Sequence, residues 1–256
     1  MDQLTSRFWQ DNGIEHIDMV FHLGAFIPKN AGSGDSVAEI FRDNLQGTHA
    51  LLESLPNAPE KVVFSSTIDV YGLEEDGGVL TEQSRLDPPT LYGASKLFCE
   101  HLIKAYSRKC GCGHALLRFG HIYGPGEGAY AKLIPQVIRA LLRNESPVLH
   151  GDGQVLRDFM FVGDAIEATI RAATSREATI DPVNIASGTS RPIREYVEII
   201  TTLVGFSGGA TFLPGKPGGR SLQFSNDRMF DALGHWELHP LEDGLRQEID
   251  YFRRRT

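Results

Sequence analysis

Short, mostly apolar runs alternate along this chain with segments whose apolar residues recur at helical spacing. Ile17–Leu23, Lys61–Thr67 and His114–Phe119 are strand-length runs rich in β-branched and aromatic residues, and they read as buried strands. Between the first two, the chain from Asp35 carries Val37, Ile40, Phe41, Leu45, Leu51 and Leu52 as one apolar stripe, which predicts a long helix. Tyr92–Arg108 has the same spacing between the second and third runs. Strands separated by helices need crossover connections, which predicts an α/β protein with a parallel sheet covered on both faces. The second half is less regular. Helices are expected over Ala131–Arg143, Asp164–Ala173, Ile193–Val204 and Leu241–Phe252, and short strands over Phe159–Val162 and Val183–Ala186. Gly124–Gly128 reads as a loop, and Gly205–Gly219 as a loop over which a small-molecule site can form.

Composition narrows the partners. The 256 residues are 41% hydrophobic and 23% charged, enough apolar content to bury a core without crosslinks. The 33 acidic against 25 basic residues leave a net charge of −8, which weighs against nucleic acid and against an anionic membrane surface. No apolar stretch reaches the roughly 18 residues of a membrane span, and the first residues lack the basic-then-apolar pattern of a secretory leader. Cys99, Cys110 and Cys112 are too few for a disulfide framework and point to a reducing, cytoplasmic compartment. Cys110 and Cys112 have no second thiol pair, and the histidines are scattered, so no metal site is expected.

Candidate chemistry begins at Tyr92-Gly93-Ala94-Ser95-Lys96, at the start of a predicted helix. Residues four apart share a helical face, so the Lys96 ammonium can stand near the Tyr92 phenol. A phenol ionises near pH ~10 in isolation, and a neighbouring cation favours the phenolate, which makes Tyr92 a usable general base. The strand before this helix ends in Ser65-Ser66-Thr67. Ligands of open α/β sheets bind beyond the carboxyl ends of strands, so a hydroxyl at this tip supplies a donor beside the base. Taken alone, the three hydroxyls are better read as capping and ending the strand. Asp158 and Asp164 flank an apolar strand and are read as loop braces rather than acids.

Longer stretches resemble the extended short-chain dehydrogenases/reductases, in their NAD-dependent epimerase/dehydratase branch. Val20–Ala25 is similar to that family's first apolar strand after its glycine-rich unit, and Asn44, Gly47-Thr48 and Leu51-Leu52-Glu53 to the helix that follows. Phe64–Gly72, Pro89–Lys96, Arg118 with Tyr123-Gly124-Pro125, and Gly151-Asp152-Gly153 with Arg157–Phe159 and Val162–Asp164 match further motifs in family order. So do Asn184–Gly188 and Asp243-Gly244-Leu245. The resemblance implies a Rossmann-like parallel sheet with a small C-terminal substrate-binding lobe. It implies redox at a carbon of a nucleotide-sugar, most plausibly epimerisation, with NAD as cofactor and NADP as an alternative. Tyr92 would be the base, Lys96 its partner at the nicotinamide ribose, and Thr67 the hydroxyl that bonds the reacting oxygen. Leu23, Gly24, Ala25 and Ser65 would join Tyr92 and Lys96 in holding the cofactor. Asn44, His121, Arg157 and Arg220 would shape the sugar-nucleotide site, arginine suiting a pyrophosphate by its planar fork. A homodimer through the Asp35–Leu55 and Tyr92–Arg108 helices is also implied.

Departures matter as much. Family members open with a strand, a Gly-x-x-Gly-x-x-Gly turn and a helix that hold the dinucleotide. Nothing before Ile17 matches these, and Asp2–Thr5 resembles the stretch just ahead of the first matching strand, so the sheet is expected to be N-terminally incomplete with Ile17–Leu23 as an unpaired edge. Gly32-Ser33-Gly34 does not substitute, since the third glycine position is Val37. A displaced start, a real truncation and completion by another chain stay open. The expected organisation is a partial cofactor domain over 1–125 and about 155–190, with the substrate lobe over 126–154 and 191–256. Ile68 stands where dehydratases carry their general acid and cannot donate a proton, which favours epimerisation or simple redox. His121 replaces an asparagine, putting that phosphate contact in doubt. An NADP-dependent reductase and a non-catalytic nucleotide-sugar-binding remnant are the alternatives.

Overall fold

The computed structural model of the chain describes residues 5–28, 36–72, 78–128, 132–214 and 220–255. The expected Gly32–Gly34 loop, the helix start at Asp35, Ala131 and the end of the Gly205–Gly219 loop lie outside them. In chain order the elements are α1 (Ser6–Asp11), β1 (Met19–His22), α2 (Val37–Glu39), a π-helical stretch (Ile40–Gln46), α3 (Gly47–Ser54), β2 (Lys61–Thr67), β3 (Val79–Leu80), α4 (Leu91–Cys110), β4 (Gly113–Phe119) and β5 (His121–Tyr123). There follow α5 (Leu133–Leu142), β6 (Val148–His150), β7 (Leu156–Phe161), α6 (Val162–Thr174), β8 (Thr179–Ile185), β9 (Ser190–Pro192), α7 (Ile193–Val204), β10 (Thr211–Leu213), β11 (Gln223–Phe224), α8 (Asp227–Leu233) and α9 (Leu241–Arg253).

The central sheet is parallel throughout, in the order β1-β2-β4-β8. Its strands read as unbroken apolar runs because both faces are covered. Val62, Phe64 and Leu116 point into a core with Leu52, Cys99, Ile103 and Tyr106 of α3 and α4. Val63, Ala115 and Leu117 point the other way, onto Ala165, Ala168 and Ala172 of α6 and Met229 of α8. The strand period of two thus serves two cores at once. The small face of α6 lets that helix lie close to the sheet. Buried Lys61 donates from Nζ to the carbonyls of Ala172 (3.0 Å) and Ser175 (2.9 Å), satisfying the C-terminal end of α6 with a cation. Among the described residues, β1 is an edge strand of this sheet, paired to β2 alone.

Helices α5, α7 and α9 form a second body around Ile134, Val137, Ile138, Val197, Ile200, Leu245 and Phe252. This lobe also holds the parallel pair β6–β10, and the three-stranded sheet β5-β7-β9 lies between it and the main sheet. Sequence periodicity placed the long elements to within a few residues. It missed α1, α8 and the two- and three-residue strands, which are too short to show a period. No helix among the described residues is long and apolar enough to cross a membrane.

One core residue is a misfit. Glu248 of α9 is fully buried, and neither oxygen of its carboxyl meets a hydrogen-bond partner. Burial first, then the nearby Glu127, pushes its pKa from the usual 4.5 to about 8. The folded chain therefore holds this proton more tightly than the unfolded chain, and stability falls as pH rises from about 4.5 to about 8. A pKa change of that size corresponds to roughly 3–5 kcal/mol above pH ~8. Glu248→Gln is expected to be nearly neutral at pH ~4.5 and to stabilise the fold by that order at pH ~8.5. Urea denaturation at the two pH values checks it; equal effects at both would show that Glu248 stays ionised.

Candidate active site

Helix α4 starts where its sequence can supply a cap. The Pro88-Pro89 pair keeps the chain extended into Thr90, whose Oγ1 accepts from the Gly93 N–H at 3.0 Å. It ends at Gly111, in the left-handed conformation at φ 72°. The start of α4 lies directly on the turn that follows β2. A Cβ built on Gly93 would come within 2.2 Å of the Asp69 carbonyl oxygen, a contact only glycine allows. Tyr92 is thereby carried to the strand tip that ends in Thr67. Gly93 was not singled out from sequence, because its need for a bare backbone comes from a segment more than twenty residues upstream.

Thr67 is buried, and its Oγ1 accepts from the Asp69 N–H at 3.2 Å. That bond uses a lone pair and leaves the hydroxyl proton for another acceptor. Lys96, one turn after Tyr92, is also buried, with Nζ 4.6 Å from the centre of the Phe64 ring. Burial lowers its pKa to about 8, offset in part by Cys99 and Glu100. His22 stands nearby with its pKa lowered to about 4 by burial and then by Lys96, so it is neutral at pH 7.

The loop after β1 is tied into the same place. Ser65 Oγ donates to the Leu23 carbonyl at 3.3 Å, bringing together two of the residues expected at a cofactor. Gly24 opens onto empty space, with no atom within 4 Å of a built Cβ. Asn44 is tied into this place as well. It is buried, it accepts from the Phe26 N–H (2.7 Å), and it donates to the Phe26 carbonyl (3.0 Å) and to Ser95 Oγ (3.1 Å). Ser95 in turn donates to the Tyr92 carbonyl at 2.7 Å. These bonds engage its amide, so Asn44 clamps the β1 loop to α4. The π-helical stretch places it there; a widened turn of this kind often accompanies a functional site.

His121, Arg157 and Arg220 meet on the other side of the strand tips. Thr67 pairs with Phe119 across the sheet, and β5 begins two residues later at His121. The His121 ring lies against Phe159 at 5.6 Å, and burial, then Arg157 and Lys132, lower its pKa to about 4. Arg157 donates to the carbonyls of Leu156 (2.9 Å) and Arg220 (2.6 Å), so the two expected arginines are neighbours. Asp158 and Asp164 serve as braces. Asp158 accepts from the N–H groups of Ser187 and Gly188, both at 2.9 Å, and Asp164 pairs with His239 at 2.9 Å.

Behind these residues lies a buried polar network that sequence reading did not find. Arg118 grips Glu100 with two bonds, 2.9 and 2.8 Å, and donates to the Tyr71 hydroxyl at 3.0 Å. Ser66 Oγ donates to the same Glu100 at 2.5 Å, and the Tyr71 hydroxyl donates to Asn184 Oδ1 at 2.6 Å. It joins α4, the tips of β2 and β4, and β8. Its sequence signal is the pair of charged residues, Glu100 and Arg118, inside otherwise apolar periods.

A cavity of about 600 Å³ opens in the second lobe, lined by Leu133, Gln136, Leu149, His150, Gly153 and Phe212, among others. Phe212 comes from the loop region flagged in the sequence.

Residues 3–186 match the profile of the NAD dependent epimerase/dehydratase family. The chain is 32% identical to a UDP-N-acetyl-alpha-D-glucosaminuronate decarboxylase of Bacillus cytotoxicus, over 92% of this chain and 77% of that protein. It is 30% identical to a putative UDP-glucose 4-epimerase of Methanocaldococcus jannaschii, over 82% of this chain and 69% of the relative. The crystal structure of UDP-glucuronic acid 4-epimerase from Bacillus cereus, in complex with UDP-glucuronic acid and NAD, superposes with a TM-score of 0.84 at 26% identity, covering 98% of this chain and 78% of that one.

Proposed function

This chain belongs to the NAD dependent epimerase/dehydratase family, and we propose from that premise that it epimerises a nucleotide-linked sugar by reversible oxidation at a ring carbon. The observation that carries the reading is the seating of α4 on the turn after Thr67, which gathers a phenol, a buried ammonium and a hydroxyl at one strand tip. Tyr92 takes the proton of the sugar hydroxyl, and the Thr67 hydroxyl donates to the same oxygen. Lys96 favours the phenolate by its charge. Once the ketone has turned over, Tyr92 returns the proton.

Ser65, Lys96, Tyr92 and the main chain of Leu23–Ala25, open at Gly24, fit the nicotinamide riboside end of a dinucleotide: a hydroxyl, a cation and backbone groups. A bound nicotinamide supplies the reversible hydride acceptor. NAD is the cofactor of choice in this reading and NADP the alternative. Among the described residues there is no Gly-x-x-Gly-x-x-Gly turn, so no holder of the pyrophosphate is assigned. In this reading Arg157, Arg220 and His121 contact the phosphates of the sugar nucleotide, and the 600 Å³ cavity of the second lobe takes the nucleotide. Ile68 is buried in an apolar cluster with Val70, Leu80 and Phe224 and has no proton to donate to a leaving group, which favours epimerisation over dehydration. Exposed Phe41 (54%) on the π-helical stretch, and Leu91 (56%) and Phe98 (52%) on α4, support a homodimer through these two helices. Three free cysteines support a reducing, cytoplasmic setting.

The test is to titrate the purified chain with NAD⁺ and NADP⁺, then incubate it with UDP-glucose and with UDP-glucuronic acid and follow the sugar signals by NMR. Cofactor binding with formation of the 4-epimer is expected. A folded chain that binds neither dinucleotide and converts neither sugar overturns the reading.

A further inference from the structure

In the second lobe, α5 and the end of α9 enclose a pocket of about 240 Å³ lined by Gly128, Arg139, Arg143, Tyr251, Phe252 and Arg255. Three of these six residues are arginines, and no carboxylate is among them. This is unusual in a chain of net charge −8. Arg139 and Arg255 make no ion pair with any described residue. Each is held instead over an aromatic ring, Arg139 over Phe252 at 4.7 Å and Arg255 over Tyr251 at 4.1 Å, and Arg255 also donates to the Tyr251 hydroxyl. Stacking fixes a guanidinium plane while leaving most of its edge N–H donors unused.

Among the described residues, carboxylates pair with only one of the three arginines. Glu145 pairs with Arg143, Asp250 with Arg253 and Glu127 with Lys132. Glu248, on the inner side of α9, is buried and holds its proton at neutral pH. An adjoining cavity of about 380 Å³ shares Tyr251 and Arg255 and is lined also by Arg254 and by Asp250. Unpaired cations brought together in a concavity repel one another unless an anion occupies it. Preorganised forks of this geometry match a phosphoryl group, whose oxygens accept paired N–H bonds.

We propose that this pocket binds a phosphate monoester dianion, gripped by Arg139 and Arg255 with Arg143 at its rim. Its volume lies below the roughly 300–1,000 Å³ of pockets for drug-sized ligands, so it encloses the phosphoryl group of a small phosphate compound, any further part of which extends into the adjoining cavity. The site does not depend on the activity proposed above.

The experiment is calorimetric titration of the full chain, without cofactor or sugar nucleotide, using inorganic phosphate and glycerol 3-phosphate, with glycerol as the uncharged control. Saturable binding of at least one phosphate and none of glycerol is expected. Tighter binding of glycerol 3-phosphate identifies an organic monoester as occupant; equal or tighter binding of inorganic phosphate identifies the free ion. Arg255→Gln, on the exposed last turn, is expected to weaken binding at least tenfold, and Arg255→Lys to restore it only in part. Arg139→Gln should weaken it similarly, while Arg157→Gln, at the other phosphate-suited site, should leave it unchanged. No saturable heat, or binding lost in Arg157→Gln and kept in Arg255→Gln, overturns the proposal.

Discussion

Lys96→Met is expected to abolish turnover and, at the same time, to stabilise the fold. The ammonium is buried against Phe64, and its pKa falls from 10.5 to about 8. The folded chain thus holds this proton less tightly than the unfolded chain. The charge destabilises the fold below about pH 8, the penalty shrinks between about 8 and 10.5, and it is gone above that. A difference of this size corresponds to about 3 kcal/mol, and methionine fills similar space with no charge to bury. Turnover should fall by about 10²–10⁴-fold, the usual worth of a positioned proton-transfer group. Tyr92→Phe should lose as much turnover without the gain in stability, since no buried charge is removed. Paired denaturation at pH 7 and pH 10.5, beside an epimerase assay, separates the two. A Lys96→Met protein less stable than wild type at pH 7 would show that the cation stabilises the fold, contrary to this account.

Arg118→Met is expected to destabilise the fold by roughly 3–5 kcal/mol, because it leaves the Glu100 carboxylate buried without its bidentate partner. Glu100 and Arg118 are each 2% exposed. At the size of this chain a loss of that order lowers Tm by about 10 °C. The double variant Glu100→Met with Arg118→Met removes both charges and should recover most of the loss, as exchange of buried ion pairs for apolar residues does elsewhere. Recovery in stability should not restore turnover. Glu100 lies on the helix that carries Tyr92 and Lys96, and its second ligand Ser66 adjoins Thr67, so the pair also holds base and hydroxyl in register. Additive losses in the double variant would refute the ion-pair account; unchanged turnover would refute the positioning role.

Much of this arrangement was legible before any coordinates. The runs at Lys61–Thr67 and His114–Phe119 could only be strands buried on both faces, and Val62 against Val63 shows why neither face is polar. Tyr92 and Lys96 were legible from helical spacing and Thr67 from its place at a strand end. Asn44 was legible as special, but its hydrogen-bond partners were not. Its motif marks the position, while its role depends on what faces it, and Phe26 and Ser95 face it from 18 and 51 residues away. The same limit hid Gly93, whose constraint is the Asp69 carbonyl, and the Arg139–Arg255 pocket, whose walls are far apart in sequence.

The sequence by itself determined the local choices: which runs are strands, where α4 is capped by Thr90 and ended by Gly111, and which hydroxyl, phenol and amine are available. Those follow from side-chain periodicity, backbone sterics and short-range hydrogen bonds, all of which act within a few residues. Only the tertiary structure decided which polar groups are buried and against what. Burial sets the pKa of Lys96, His22 and Glu248, and it turns Glu100 and Arg118 into a clamp rather than a surface pair. The physical reason is that desolvation and Coulomb energy depend on distance through space, and the packing of strands and helices sets that distance.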